Sequence, residues 1–414
     1  MSDGRYHLFD AYGVEMEYML VDRQTLEVRP VADRLLALIG GAATTSDCEL
    51  GPVTLSNELT AHVVELKCTR PIKSLDGFAT LAGDAIRSIQ QVLDQLQLSL
   101  LPTAMHPWMD PTSQTVLWPH ENHEIYQAFD RIFDCRSHGW ANVQSVHLNL
   151  PFADDQEFGR LHSAVRLILP ILPALAASSP IVDGQLTTVR DNRLQHYSGH
   201  CRRLPSLVGD VIPEPLGTER EYRRQILSRI GAEIRPHDPD QVLQEDFLNA
   251  RGAIARFDRG SIEIRVMDVQ ECPAADMAIC ALVIAVLRTL VLDPKSVPVD
   301  QRNRIPTRTL RSILDAVIRD AENASIDDRE FLNAFGMGGS ECRAGELWRV
   351  LLERLAGTNA SLDPHVPALQ VILEQGTLAS RIANAVGDAS GAAALRPVYR
   401  RLADCLRDGR MFEP

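Results

Sequence analysis

The sequence predicts an α+β protein in which strands and helices are mixed up to about residue 292 and helices stand alone from 293 to 414. Two patterns carry this reading. Short segments alternate apolar and polar residues, as half-buried strands do. Longer segments place apolar residues every three or four positions, as amphipathic helices do. Beyond the Pro-rich stretch 293–307 only the second pattern occurs, so a helical C-terminal lobe is expected to pack on the mixed first part.

In chain order, Tyr12–Asp22 alternates with Val14, Met16, Tyr18 and Leu20 on one face. Glu58–Thr69 is a second strand region, rich in β-branched residues. Leu75–Leu98 has apolar residues at 78, 81, 82, 85, 86, 89, 92, 93 and 96, a helical stripe that Ser74 is placed to cap. Val143–Leu150, Ala253–Phe257 and Ser261–Met267 alternate again. Between them, 200–240 is rich in Pro, Gly and Arg and reads as an excursion holding one helix near Glu219–Ile230. Later helices are expected near 308–323, 345–356, 366–375 and 394–408. The Gly-rich Phe335–Ser340 stretch follows no strand, so it reads as a flexible loop and not a phosphate cradle.

At 414 residues, with 45% apolar and 23% charged, the chain can bury a large core without staples. Its net charge of −13, with no basic block, argues against nucleic acid and anionic membrane as partners. Of its 42 cationic residues only Lys67, Lys73 and Lys295 are lysine, and none sits in a P-loop setting. Phosphate chemistry would therefore fall to arginine and metal ions. None of the eight cysteines forms a CxxC pair, which excludes zinc-ribbon and thioredoxin readings and suits buried thiols in a reducing cytoplasm. The N-terminal residues lack the apolar run of a signal peptide. The apolar runs 164–178 and 277–292 are interrupted or short of the roughly 20 clean residues a membrane span needs, so both read as core helices.

The most informative feature is where the carboxylates sit. In Gly13-Val-Glu15-Met-Glu17-Tyr18, two glutamates share the strand face opposite the apolar one. His147 and Asn149 oppose Val146 and Leu148, and Glu263 and Arg265 oppose an Ile/Val face. Glu65 is flanked by Val64 and Leu66. A solvated outer face explains one such strand; the recurrence suggests one sheet with a polar concave face. Glu58 and Glu65 have opposite parity, so a bend or bulge must separate them if both join one site. Clustered carboxylates repel unless cations lie between them. Carboxylates with one imidazole suit magnesium or manganese, whereas zinc would want more His or Cys, and His-Glu-x-x-His is absent.

These residues resemble a family. Gly13-Val-Glu15-Met-Glu17 is similar to the first strand of glutamate–cysteine ligases of the second type and related carboxylate–amine ligases. Glu58…Glu65 resembles their next acidic strand, His106-Pro107 their short His-Pro element, and Ser145-Val-His147-Leu-Asn149 their central His strand. Ser178-Ser-Pro180 with Gly184 and Arg193 resembles a further segment, and Asn249-Ala-Arg251…Arg256…Ser261-Ile-Glu263-Ile-Arg265-Val-Met-Asp268 is the strongest match. Together, and in order, they span about residues 10–290.

The resemblance implies a glutamine-synthetase-like domain over 1–292: a curved, mainly antiparallel sheet with flanking helices, holding ATP and two or three divalent ions, Mg2+ or Mn2+. It implies that Glu17, Glu58 and Glu65 hold the metal nearer the amine, and that Glu15, His147 and Glu263 hold the one bridging ATP. Arg265 would contact the γ-phosphate or the attacking carboxylate. Arg251 and Arg256 would serve the same negative charge, and Arg193 a substrate carboxylate. Asn149 stands where many members carry a second His, which puts the amine in doubt more than the ATP chemistry. The implied activity is an ATP-dependent ligation of a carboxylate, glutamate by default, to an amine such as cysteine, by a cytoplasmic homo-oligomer. The alternatives are a non-catalytic nucleotide- or metal-binding paralogue, or a phosphotransferase that stops at a phosphorylated product.

Overall fold

The computed structural model describes residues 5–42 and 45–414. Its main sheet contains β1 (Gly13–Asp22), β2 (Asp47–Leu50), β3 (Val53–Asn57), β4 (Val63–Cys68), β5 (Leu98–Leu101) and β6 (Ser145–Pro151). After a small hairpin of β7 (Ile181–Val182) and β8 (Gln185–Leu186), the sheet resumes with β9 (Ala253–Arg256) and β10 (Ser261–Asp268). The strand order is β2-β3-β4-β1-β6-β10-β9, with β5 added to β1, and every pairing is antiparallel.

One face of this sheet is the core. Val14, Met16, Tyr18, Val64, Leu66, Val146, Leu148, Ile262 and Ile264 are all buried in one apolar cluster. The helices Phe78–Gln95, Asp155–Ile168 and Pro273–Leu292 supply the other side of that cluster. Full burial is worth roughly 1.5–3 kcal/mol for each large side chain, so the alternation fixes which face turns inward. Helix Pro273–Leu292 is apolar all round because it runs through the core; 83% of its most apolar window is buried. Among the described residues it is the one helix long and apolar enough to cross a membrane.

The helices after 292 join the same core. Leu310, Leu314, Phe331, Trp348 and Leu369 belong to the main cluster, and Trp348 Nε1 donates to the Ile171 carbonyl. Leu378, Ile382, Leu395, Tyr399 and Phe412 form a second cluster with Met19, Val21 and Leu101. Seven of the eight free cysteines are buried and Cys68 is half-buried.

Three local expectations change. The first long helix begins at Phe78, after Gly77 with φ 75°, a conformation open to glycine. Ser74 does not cap it; its hydroxyl accepts from the Asp76 amide in the turn before. The excursion helix runs on to Ile234 through a π-helical turn at Arg223–Leu227. A helix the periodicity did not reveal, Leu378–Val386, starts at Thr377, whose hydroxyl accepts from the Ser380 amide.

Candidate functional site

Register places the acidic residues side by side. Glu15 on β1 lies opposite Lys67 on β4 and His147 on β6, and Glu17 lies opposite Glu65. Glu263 on β10 lies opposite Asn149, and Ser56 on β3 lies opposite Glu65. The β6–β10 register shifts between Ile264 and Met267, a bulge that sits at Arg265. Glu58 falls just after β3 ends at Asn57, and β4 starts only at Val63. That break is the bend the parity of Glu58 and Glu65 required. As a result Glu17, Glu58 and Glu65 can present ligand oxygens within 4.8 Å of one another, and so can Glu15, Glu65 and His147.

Hydrogen bonds hold these groups in place. His147 Nδ1 lies 3.0 Å from Glu15 Oε2, and Nε2 lies 2.9 Å from the Ser145 hydroxyl. Asn149 Nδ2 donates to Glu15 Oε1 (3.0 Å). The Ser145 amide donates to Glu17 Oε2 (2.8 Å), and Ser56 donates to Glu65 Oε1 (2.9 Å). Glu263 is 3.7 Å from His147 and takes both Nε (3.0 Å) and Nη2 (2.6 Å) of Arg265.

The electrostatics divide the face. Burial opposes ionisation of Glu15, yet the His147 contact, with Arg265 and Lys67 behind it, holds its carboxyl at about 2. Burial likewise opposes charge on His147, but Glu15, Glu17 and Glu263 raise it above its ordinary value. At the other end, burial and the neighbouring carboxylates Glu65, Glu17 and Glu15 push Glu58 well up. Burial and Glu15 push Glu65 to about 7 despite Lys67 at 3.0 Å.

The four arginines differ in what holds them. Arg265 lines the pocket over the acidic face; Glu263 holds two of its nitrogens and its guanidinium also lies beside the Tyr197 hydroxyl. Arg193 lines the same pocket but is buried, donating to Asp268 Oδ1 (3.3 Å) and to the Arg265 carbonyl (2.7 Å). It supports the strand that carries Arg265. Arg256 leans on Asp258 at 3.5 Å and lies over the Phe247 ring. Arg251 is not brought to the face. Two of its nitrogens grip Glu214 at 2.7 Å each, and the third donates to the Ser206 carbonyl, so all three nitrogens are engaged away from the acidic face.

Several residues of the site were not singled out from sequence. Lys67 shares a face with Glu65 two residues away, a parity signal that was present in the strand. Ser56 and Ser145 gave no such signal, since their role comes from register. Ser178 and Ser179 both bond Asp268 Oδ2, which ties the Ser-Ser-Pro turn to the end of β10. His106 is buried and bonds the Leu26 carbonyl, so the His-Pro element is structural. A wall of Phe129, Trp140, Tyr197 and His200 closes the pocket beside Glu17 and Glu58.

The donor set fits hard divalent cations. It offers carboxylate oxygens and one imidazole, and the pairwise repulsion at Glu58 and Glu65 is what a cation between them would relieve.

Comparison with known proteins agrees with this geometry. The sequence model of the glutamate–cysteine ligase family 2 matches residues 11–400. A protein of Archaeoglobus fulgidus, named only as uncharacterized, is 36% identical over 345 residues, which is 82% of this chain and 92% of that one. Among solved structures, a bifunctional glutathione synthetase from Pasteurella multocida superposes with a TM-score of 0.60 at 14% identity, over 95% of this chain. The chain spans 53% of that longer protein. A glutamate–cysteine ligase from Francisella tularensis, solved in complex with AMP, gives a TM-score of 0.54 at 12% identity, over 96% of this chain and 89% of that one. At such identities these two structures establish the shared fold.

Proposed function

This chain belongs to the glutamate–cysteine ligase family 2, an ATP-dependent carboxylate–amine ligase by class, and on that premise we propose that it joins the side-chain carboxylate of glutamate to an amine, cysteine in the first instance, through an acyl phosphate. The observation that carries the reading is the juxtaposition across β4, β1, β6 and β10. A charge-balanced group, Glu15, His147, Glu263 and Arg265, stands next to an unbalanced one, Glu17, Glu58 and Glu65.

A carboxylate is a poor electrophile because its leaving group would be oxide. Transfer of the γ-phosphoryl group of ATP to the carboxylate oxygen releases ADP and leaves a mixed anhydride. The amine nitrogen then attacks the carbonyl, phosphate departs with the C–O electron pair, and the nitrogen loses a proton. Arg265 is suited to the first step: it lines the pocket with Glu263 anchoring two of its nitrogens, and its remaining N–H groups would meet an incoming phosphoryl oxygen. Arg193 and Asp268 fix the backbone from which Arg265 projects. Asn149 and His147 orient Glu15. Magnesium or manganese, two or three ions in all, would be held by Glu17, Glu58 and Glu65 and by Glu15, His147 and Glu263, and would supply neutralisation of phosphate charge. The free thiols and acidic balance support a cytoplasmic site of action, and a homo-oligomer is part of the same reading.

An ATP-consumption screen crossing glutamate with a panel of amines tests this, with chromatography of the spent nucleotide. ADP, phosphate and an amide are expected. AMP as the sole nucleotide product would sink the acyl-phosphate route. ADP without amide would favour the phosphotransferase, and metal-nucleotide binding without turnover the non-catalytic paralogue.

A further inference from the structure

An amine that attacks an acyl phosphate must lose a proton, and the acidic face has little room for it. On the reading above Glu17, Glu58 and Glu65 are committed to cations. His147 engages Glu15 through Nδ1 and Ser145 through Nε2. Two further candidates in the pocket wall are also in use or inert. The Tyr197 hydroxyl donates to the Ala250 carbonyl (2.9 Å), and burial pushes the Cys201 thiol well up, so it stays protonated.

His200 differs from all of these. It stands in the wall of the same pocket as Glu17, Glu58 and Arg265. Two rings fix its plane: Tyr197 stacks on it with centroids 4.4 Å apart, and Trp140 meets it edge-on at 4.6 Å. Trp140 Nε1 also donates to the His200 carbonyl (3.3 Å). Gly139 lets the next element press close, since a Cβ there would meet His200 Cβ at 2.7 Å. On the imidazole, Nδ1 meets the Tyr197 carbonyl. A carbonyl can only accept, so Nδ1 carries the hydrogen, and in the neutral ring Nε2 keeps its lone pair. Nε2 has no hydrogen-bond partner among the described residues. Unlike both nitrogens of the core residue His162, it is not sealed from solvent. Burial, helped by the Arg265 charge, brings the ring down to about 4 despite the Tyr197 carbonyl, so it rests neutral. The result is an oriented proton acceptor beside the end of the face that carries Glu17 and Glu58.

We propose that His200 is the general base of amide formation, its Nε2 taking the proton from the attacking nitrogen. The assignment rests on the ligase reading above and supplies the residue its second step lacks. The lone pair of the neutral amine forms the C–N bond, and the C–O electron pair leaves with phosphate. The N–H electron pair stays on nitrogen as the proton passes to Nε2. Bonding to the acyl carbon makes that N–H far more acidic than in the free amine, so a weak base held in place is enough. The imidazolium, disfavoured by burial and by Arg265, then gives its proton to water.

Rapid-quench kinetics of the full chain separates the two steps, using glutamate, magnesium ATP and the best amine of the screen above, cysteine to begin with. His200→Gln keeps a polar side chain without a basic nitrogen. In it, amide formation at saturating amine should fall about 100-fold or more, while single-turnover ADP formation without amine should fall less than about three-fold. His200→Ala leaves room for added imidazole, which should restore amide formation by about ten-fold or more, a response a merely structural histidine would not give. The melting temperature shows which variant is folded, and either one alone decides. Equal losses in both steps or undiminished amide formation in His200→Gln, or no response to imidazole in His200→Ala, would overturn the assignment. A wild type that spends ATP and forms no amide with any amine would overturn the ligase reading, and this role with it.

Discussion

Two halves of one sheet face carry the same side chain and behave in opposite ways. Glu15 sits with His147, Asn149, Arg265 and Lys67 around it, and its carboxyl is held at about 2. Glu65 sits a strand away with Lys67 at 3.0 Å as its one positive partner and Glu15, Glu17 and Glu58 around it, and its carboxyl rises to about 7. Glu65 is buried and Glu15 half-buried, and burial opposes ionisation of both, so burial alone does not explain the difference. The count of positive partners within reach does. The balanced half can keep its shape by itself and is suited to aligning a phosphoryl group. The unbalanced half needs a cation to stay ionised, and is suited to recruiting one.

The largest effect expected from this division is on chemistry. Arg265→Ala should cost about 100–1000-fold in turnover, the usual loss for a preorganised donor to a transferring group. Arg265→Lys keeps the charge and loses the fork, so it should be nearly as damaging. Steady-state kinetics would show kcat falling more than KM rises; a pure KM effect would place Arg265 in ground-state binding.

Next comes the metal-linked pair on β6. His147→Ala should weaken metal-nucleotide affinity more than Asn149→Ala does. The first removes a proposed ligand, and the second removes a hydrogen bond that positions Glu15. Calorimetric titration of a magnesium–nucleotide analogue decides it, and equal small losses would make the strand merely structural.

A smaller effect is expected on stability. Magnesium at about 10 to 100 times its Kd should stabilise the chain by roughly 1–3 kcal/mol. The size should depend on pH. Glu65 moves from 4.5 to about 7 on folding, so between those values the native state binds more protons than the unfolded one. Stability from this group is therefore greatest at low pH and is lost as pH rises through 7 in metal-free protein. A cation displaces those protons, so the rise in Tm with magnesium should be larger at pH 8 than at pH 5.5. Equal shifts at both pH values would contradict the assignment of the raised carboxyl to the metal half.

The residues of the face were legible in the sequence because strand parity is strict. Glu15, Glu17, His147, Glu263 and Arg265 each stand two apart from another polar residue, opposite apolar neighbours, and register then gathers them. What parity cannot give is the partner of a flexible side chain. Arg251 and Arg265 look alike in sequence, yet the first is drawn away by Glu214, 37 residues distant, while the second, anchored by Glu263 two residues away, stays in the pocket. The same holds for Arg193, whose guanidinium finds Asp268 and a carbonyl of β10. Most of the C-terminal helices were visible through their periodicity, whereas Leu378–Val386 was not.

The central claim is that the half of the face around Glu58 and Glu65 is the one that draws in a cation. Counting bound Mn2+ by electron paramagnetic resonance, without nucleotide, in the wild type and in Glu58→Gln tests it most directly. The account predicts at least one tightly bound Mn2+ in the wild type, and its loss or strong weakening in Glu58→Gln while the fold and its melting temperature are kept. Unchanged Mn2+ binding in Glu58→Gln would contradict it.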